Sequence, residues 1–153
     1  RTSTGENNKM TVLILVLSCK HPPYDLLYNA QRSTWDSIIV GSVRSHYYFC
    51  DLPDSRMHYK LKLALDEIWN EPWDFIFRTN SSSYVDKAAL LAKAHTLPST
   101  KCYCGLSGGD FASGSGMFLS RDVVDILRNE IRDEPTPLIE DELIGHILDQ
   151  HGI

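Results

Sequence analysis

The chain has 153 residues, a size that one domain with one hydrophobic core accounts for. Hydrophobic residues make up 42% and charged residues 23%, which excludes a disordered, collagenous or disulfide-scaffold protein; a net charge of −5 with scattered basic residues argues against a nucleic-acid partner. No run approaches the about 20 apolar residues that a spanning helix needs, so the expectation is a protein without a membrane span, located in the cytoplasm.

Residues 1–9, RTSTGENNK, are polar and read as a flexible segment or a tag remnant, followed by one domain over residues 10–153. TVLILVLS (11–18) is apolar throughout, as a parallel strand covered on both faces must be, and residues 25–35 read as the helix after it. Residues 43–50 form the second strand. Leu61, Leu65, Ile68 and Trp69 repeat at helical spacing until Pro72, which closes that helix and introduces the strand WDFIFRT. A third helix is expected over 84–97, then the short strands KCYCGL and GMFLS. Val124, Leu127 and Ile131 mark a fourth helix, and Ile139, Leu143 and Ile147 a fifth. The alternation predicts an α/β fold with a mainly parallel central sheet and helices on both faces, and ligands in such folds bind beyond the carboxyl ends of the strands.

Cys19, Cys50, Cys102 and Cys104 stand at or beside predicted strands without the CxxC spacing of zinc or redox sites; reduced, partly buried thiols are expected. The loops SCKHPPYD, DLPDSR and RTNSSSYVD should converge on one crevice, bringing together Ser18, Lys20 and His21 from the first, Asp51 from the second, and Asn80, Ser81, Ser82 and Ser83 from the third. Each alone reads more simply as a solvated loop residue; their common placement is what points to a ligand. Arg78 and Thr79 point to opposite faces of their strand, so only one of them enters the crevice, and parity does not say which.

Two further stretches carry chemistry. In FASGSGMFLSRD, the small residues Ser113, Gly114 and Ser115 let the backbone approach a ligand or another segment closely, although a tight turn would look the same and no GK[ST] ending marks a phosphate loop. In PLIEDELIGHIL, Thr136 as N-cap and Pro137 at the first helical position place Glu140 and Asp141 near the first turn, where backbone amides stabilise carboxylates. Glu140 falls within the apolar arc of that helix and Asp141 at its edge, which makes the acid pair a candidate for a general base. Gly145, one turn on, is expected to leave open space beside Asp141.

In this order RSTW (32–35), FIFRTNSSSYVD (75–86), FASGSGMFLSRDVVDIL (111–127) and IEDELIGHIL (139–148) resemble the GT-A inverting beta-1,3-glycosyltransferases, the group of the Fringe and beta-1,3-galactosyltransferase enzymes. The resemblance covers residues 13–153, and the SGSG strand followed by E-D-x-x-x-G is its most specific part. It implies a Rossmann-like GT-A fold, a nucleotide-diphospho-sugar donor and a carbohydrate or glycan acceptor. It also implies Asp141 as catalytic base and Arg32 near the nucleotide. Ser18, Lys20, Asp51, Arg78, Asn80, Ser81 and Ser82 would then surround the donor, with Ser113, Gly114, Ser115 and Glu140 about the sugar or acceptor.

The chain departs from the resemblance after its third strand. Family members carry three acidic residues there that hold a divalent metal against the diphosphate; Asn80, Ser81 and Ser82 stand in their place, and an amide with two hydroxyls does not neutralise such an ion. No cofactor or divalent metal is therefore expected, and Arg32, Lys20, Arg78, His146 and His151 are the cations available to a leaving diphosphate. A non-catalytic sugar-nucleotide or glycan-binding module is the second reading. A flavodoxin-like nucleotide-binding protein is the third, and it leaves the order of SGSG and acid pair unexplained.

Overall fold

The apolar run after Thr11 becomes the central strand. In the computed structural model, which describes residues 9–153, β1 (Val12–Ser18) is buried along its whole length. The flexible segment expected over residues 1–9 lies, apart from Lys9, outside the described residues. Alternate side chains of β1 feed two separate cores, as period-two geometry requires. Leu13, Leu15 and Leu17 pack with α2 (Met57–Ile68), α4 (Arg121–Glu130) and α5 (Glu140–Gln150). Val12, Ile14 and Val16 pack on the other face with Trp35 and with Leu90 and Ala94 of α3 (Lys87–Ala94). Each of these β1 side chains is at most 5% exposed, and each contributes about 1.5–3 kcal/mol relative to exposure.

The sheet has the order β2-β1-β3-β5-β4, with β2 (Val43–Phe49), β3 (Phe75–Asn80), β4 (Tyr103–Ser107) and β5 (Ala112–Ser120). β1 pairs in parallel with β2 and with β3, whereas β5 runs antiparallel to both β3 and β4. The sheet is thus mixed rather than mainly parallel. The reason lies in the short link between β4 and β5: residues 108–111 suffice for a hairpin but not for the crossover that a parallel pair demands. The architecture is α/β, with helices on both faces of a five-stranded mixed sheet, and is compatible with a Rossmann-like fold. No helix among the described residues is long and apolar enough to cross a membrane.

Several boundaries differ from those expected. α1 (Tyr24–Ser33) stops before Trp35, and a 3-10 turn at Trp35–Ser37 carries the chain on. α3 begins at Lys87 rather than 84, because the Asp86 side chain accepts from the backbone N–H groups of Ala88 and Ala89 and fixes the start there. β5 begins at Ala112, so SGSG lies inside the strand and not ahead of it. α5 begins at Glu140 with Ile139 at the N-cap; Thr136 instead accepts from the Leu138 N–H at 3.2 Å and closes a local turn. All four cysteines are free thiols, Cys19 and Cys102 buried and Cys50 and Cys104 partly so, and burial pushes the Cys102 thiol up to about 11.

Candidate functional site

Because β1, β2 and β3 are parallel, their carboxyl ends and the loops that leave them share one edge of the sheet. A cleft of about 980 Å³ opens there. Among the expected residues, His21, Asp51, Arg78, Asn80, Ser81 and Ser82 line it, joined by Cys19 and Lys60. The sequence-expected Ser18, Lys20, Arg32, Ser113, Gly114, Ser115, Glu140 and Asp141 are not in the lining. Ser18 is buried beneath it, and Lys20 is exposed, giving its backbone N–H to Asp51 Oδ1 at 3.4 Å. His146 and His151 stand at the far end of α5, near Gln150 and Glu130.

Of the two β3 residues that parity left open, Arg78 is the one that enters the cleft. Its guanidinium holds Glu140 in a two-pronged pair, Nε to Oε1 at 3.0 Å and Nη2 to Oε2 at 2.6 Å, with both side chains almost fully buried. Burial pushes the Glu140 carboxyl up from its ordinary value against the opposing pull of Arg78, so its charged form depends on that partner. Arg78 Nη1 also donates to Asn80 Oδ1 at 2.8 Å and to the Gly114 carbonyl.

Lys60 lies in the cleft floor and is only 1% exposed; it donates to the Ser18 carbonyl and to Cys19 Sγ. The only sequence signal for Lys60 is its place on an amphipathic helix, one residue before the core position Leu61, so sequence reasoning passed it over. The lining therefore sets Lys60 and Arg78 against Asp51, with His21 beside it.

The small-residue stretch of β5 shapes the wall behind Arg78. Opposite the β4 pair Gly105 and Ser107, β5 runs from Met117 to Ala112, so three extra residues bulge out of the ladder. The ladder to β3 stops at the Arg78 and Met117 pair. Beyond it, β3 side chains replace backbone pairing: Arg78 reaches the Gly114 carbonyl, and Thr79 Oγ1 donates to the Ser115 carbonyl at 2.7 Å. Ser83 Oγ donates to the same carbonyl at 3.3 Å.

Asp141 completes this wall from the α5 side, its Oδ2 accepting the Gly114 N–H at 2.6 Å. A β-carbon on Gly114 would lie 2.6 Å from Asp141 Oδ1 and closer still to Arg78 Nη1, so any side chain there would push the two charged groups aside. Gly145 does not open the space beside Asp141 as expected. A β-carbon there would come within 2.7 Å of Phe111 Cβ; this glycine lets α5 pack against the hairpin loop.

Asn80, Ser81 and Ser82 do not fit a hard divalent cation. The Asn80 amide oxygen is committed to Arg78, and none of the three side chains is a carboxylate. Asp86, in the same stretch, is committed to the α3 cap.

The RSTW residues sit behind this loop and not in the cleft. The Arg32 side chain is 56% exposed and pairs with Asp36 at 2.6 Å, while Asp36 also accepts from Lys87 at 3.0 Å and from Ser45. Burial raises the Asp36 carboxyl, but the Ser45, Lys87 and Arg32 donors outweigh it and hold the group below its ordinary value. Trp35 Nε1 and Gln31 Nε2 both donate to the Ser83 carbonyl, at 3.1 and 2.9 Å, and Gln31 also donates to the Asn80 carbonyl. This helix end therefore fixes the backbone of the serine loop.

Comparison with known proteins places the chain in no family: no family model matches it, and no curated sequence is significantly similar to it.

Proposed function

We propose that the chain is a GT-A-type inverting glycosyltransferase that takes a sugar from a nucleotide-diphosphate donor without a metal at residues 80–82. The observation that carries this reading is the placement of Asp141. Its carboxylate abuts the cleft-lining Arg78 across Gly114, and among the described residues only the Gly114 N–H donates to it, leaving Oδ1 available to a proton donor. In the proposed reaction an acceptor hydroxyl gives its proton to Asp141 while its oxygen attacks the anomeric carbon from the side opposite the leaving group. The bond from that carbon to the diphosphate oxygen breaks, and Lys60, Arg78 and the Ser81 and Ser82 hydroxyls offset the charge that develops on the diphosphate. Glu140 holds Arg78 in place rather than exchanging protons.

A non-catalytic sugar-nucleotide or glycan-binding module is the second reading, favoured by the commitment of Asn80 to Arg78 and by the absence of acidic residues at 80–82. Thermal-shift screening against a panel of nucleotide-diphospho-sugars, followed by mass-spectrometric detection of transfer to glycan acceptors by the binding donor, separates the two. Stabilisation by a donor with product formation supports the enzyme. Stabilisation without product across a broad acceptor panel supports the module, and no stabilisation by any nucleotide sugar overturns the enzyme and the sugar-nucleotide module.

A further inference from the structure

We propose that Cys19, His21 and Asp51 form a binding site for one zinc-class divalent cation at the edge of the cleft, independent of the sugar-transfer reading. Each offers one ligand atom, and these atoms lie within 4.8 Å of one another although they come from two different loops, after β1 and after β2. A thiolate, an imidazole and a carboxylate make a borderline-soft donor set that suits zinc or cobalt(II) and not magnesium or calcium. Three protein ligands would leave a fourth tetrahedral position free, and all three residues line the cleft.

The individual groups are prepared for this. His21 Nδ1 is 3.0 Å from the Pro22 carbonyl, which only accepts hydrogen bonds, so that nitrogen carries the ring proton and Nε2 presents its lone pair. The Tyr24 ring, edge-on at 5.5 Å, fixes the imidazole further. Nε2 stands 3.8 Å from Asp51 Oδ1, which the Lys20 N–H also approaches. Bonds of about 2.0–2.3 Å to a tetrahedral ion set ligand atoms roughly 3.3–3.6 Å apart, so closing the set needs a shift of about 1.5 Å at most from two exposed side chains.

Cys19 is buried, with Sγ 3.3 Å from both the Cys50 carbonyl and Lys60 Nζ. Lys60 is the cation facing the cluster. It donates to sulfur, and with a cation bound its single charge leaves the two anionic ligands together one negative charge in excess. Binding displaces the thiol proton to solvent.

The test uses cobalt(II) and zinc alone, with the full chain stripped of metal and kept reduced. The expected result is one equivalent of cobalt giving a near-ultraviolet thiolate-to-cobalt charge-transfer band that zinc abolishes by displacement. Cys104→Ser, far from the cluster, should keep the band and Cys19→Ser should lose it. His21→Ala and Asp51→Asn should each weaken cobalt binding by at least about tenfold, the least that even an outer partner of a metal site costs. These two side chains are more than half exposed, so the variants report on the site even where Cys19→Ser fails to fold. No thiolate band, a band that survives in folded Cys19→Ser, or unchanged affinity in both His21→Ala and Asp51→Asn overturns the proposal. None of these measurements involves a sugar donor, so failure here is distinct from failure of the transfer reading.

Discussion

Two clusters of buried charge lie at opposite ends of the NSSS loop, and they differ in what surrounds them. At the α1–β2–α3 junction, Lys87 is satisfied by the Asp36 carboxylate and by the carbonyls of Asp36 and Ile38, and Asp36 by Arg32, Lys87 and Ser45; none of these residues lines the cleft. At the β3–α5 junction, the Arg78 and Glu140 pair is just as buried, but a cleft opens on Arg78, and a second carboxylate stands across a glycine from it. Buried ion pairs alone therefore do not mark a site. A charge with an open side does, and the junction of Arg32 and Asp36 serves as the structural control for the junction of Arg78 and Asp141.

The sharpest way to break this comparison is Asp141→Asn. It keeps an acceptor for the Gly114 N–H but cannot take a proton, so transfer should fall by about 10²–10⁴-fold with the melting temperature and donor affinity retained. Unchanged turnover with a verified donor and acceptor would remove Asp141 from the chemistry. Glu140→Ala is next: it strands Arg78 as an unpaired buried charge and should cost about 3–5 kcal/mol of stability in denaturant unfolding. A loss of rate without loss of stability would exchange the roles assigned to the two acids.

At the control junction the effects should be smaller. Asp36 is held below its ordinary value, so its protonation in the folded state lies below the unfolded value of about 3.9. Its contribution to stability is thus complete above that pH and is lost as pH falls through the folded value. Thermal unfolding between pH 6 and about pH 2 should show an acid loss that Asp36→Asn reduces; identical pH profiles would contradict the assignment. Arg32→Ala removes one largely exposed partner and should cost no more than about 1 kcal/mol, with nucleotide-sugar affinity unchanged by titration calorimetry. A selective loss of affinity for the diphosphate donor would put Arg32 back in contact with the ligand. The smallest effect is expected from adding magnesium or manganese, which should alter neither donor binding nor transfer, since residues 80–82 offer no carboxylate to either ion.

Much of the fold was legible because the strands and amphipathic helices report burial directly: the run 11–18 is the central strand, and the helical repeat of Leu61, Leu65 and Ile68 faces the core. The edges were less so. Thr136 and Pro137 have the chemistry of a helix start, yet α5 begins where Glu140 meets Arg78, a contact between residues 62 apart that local propensity does not encode. The strand-end rule found His21, Asp51, Asn80, Ser81 and Ser82, all of which line the cleft, but also named Ser18, Lys20 and Ser83, which do not, and it left Arg78 and Thr79 undecided. It had no access to Lys60, which reaches the same cleft from the middle of a helix, nor to the pairing of Arg32 with Asp36, which turns an apparent ligand contact into a scaffold. The SGSG stretch signalled close approach correctly, but the partners of that approach, Arg78 and Asp141, arise from tertiary packing.

The tether that α1 and the 3-10 turn after it place on the serine loop has a kinetic and entropic consequence. With the Asn80 and Ser83 carbonyls both anchored to the Gln31 and Trp35 side chains, the backbone between them is ordered before any ligand arrives. Fixing one residue's backbone costs about 1–2 kcal/mol, and here that cost is met during folding rather than deducted from binding energy. A ligand entering the cleft then meets hydroxyls already in place. Its association is limited by encounter and orientation, with no loop closure to wait for, and Trp35→Phe, which keeps the ring but removes the N–H, should slow capture more than it speeds release.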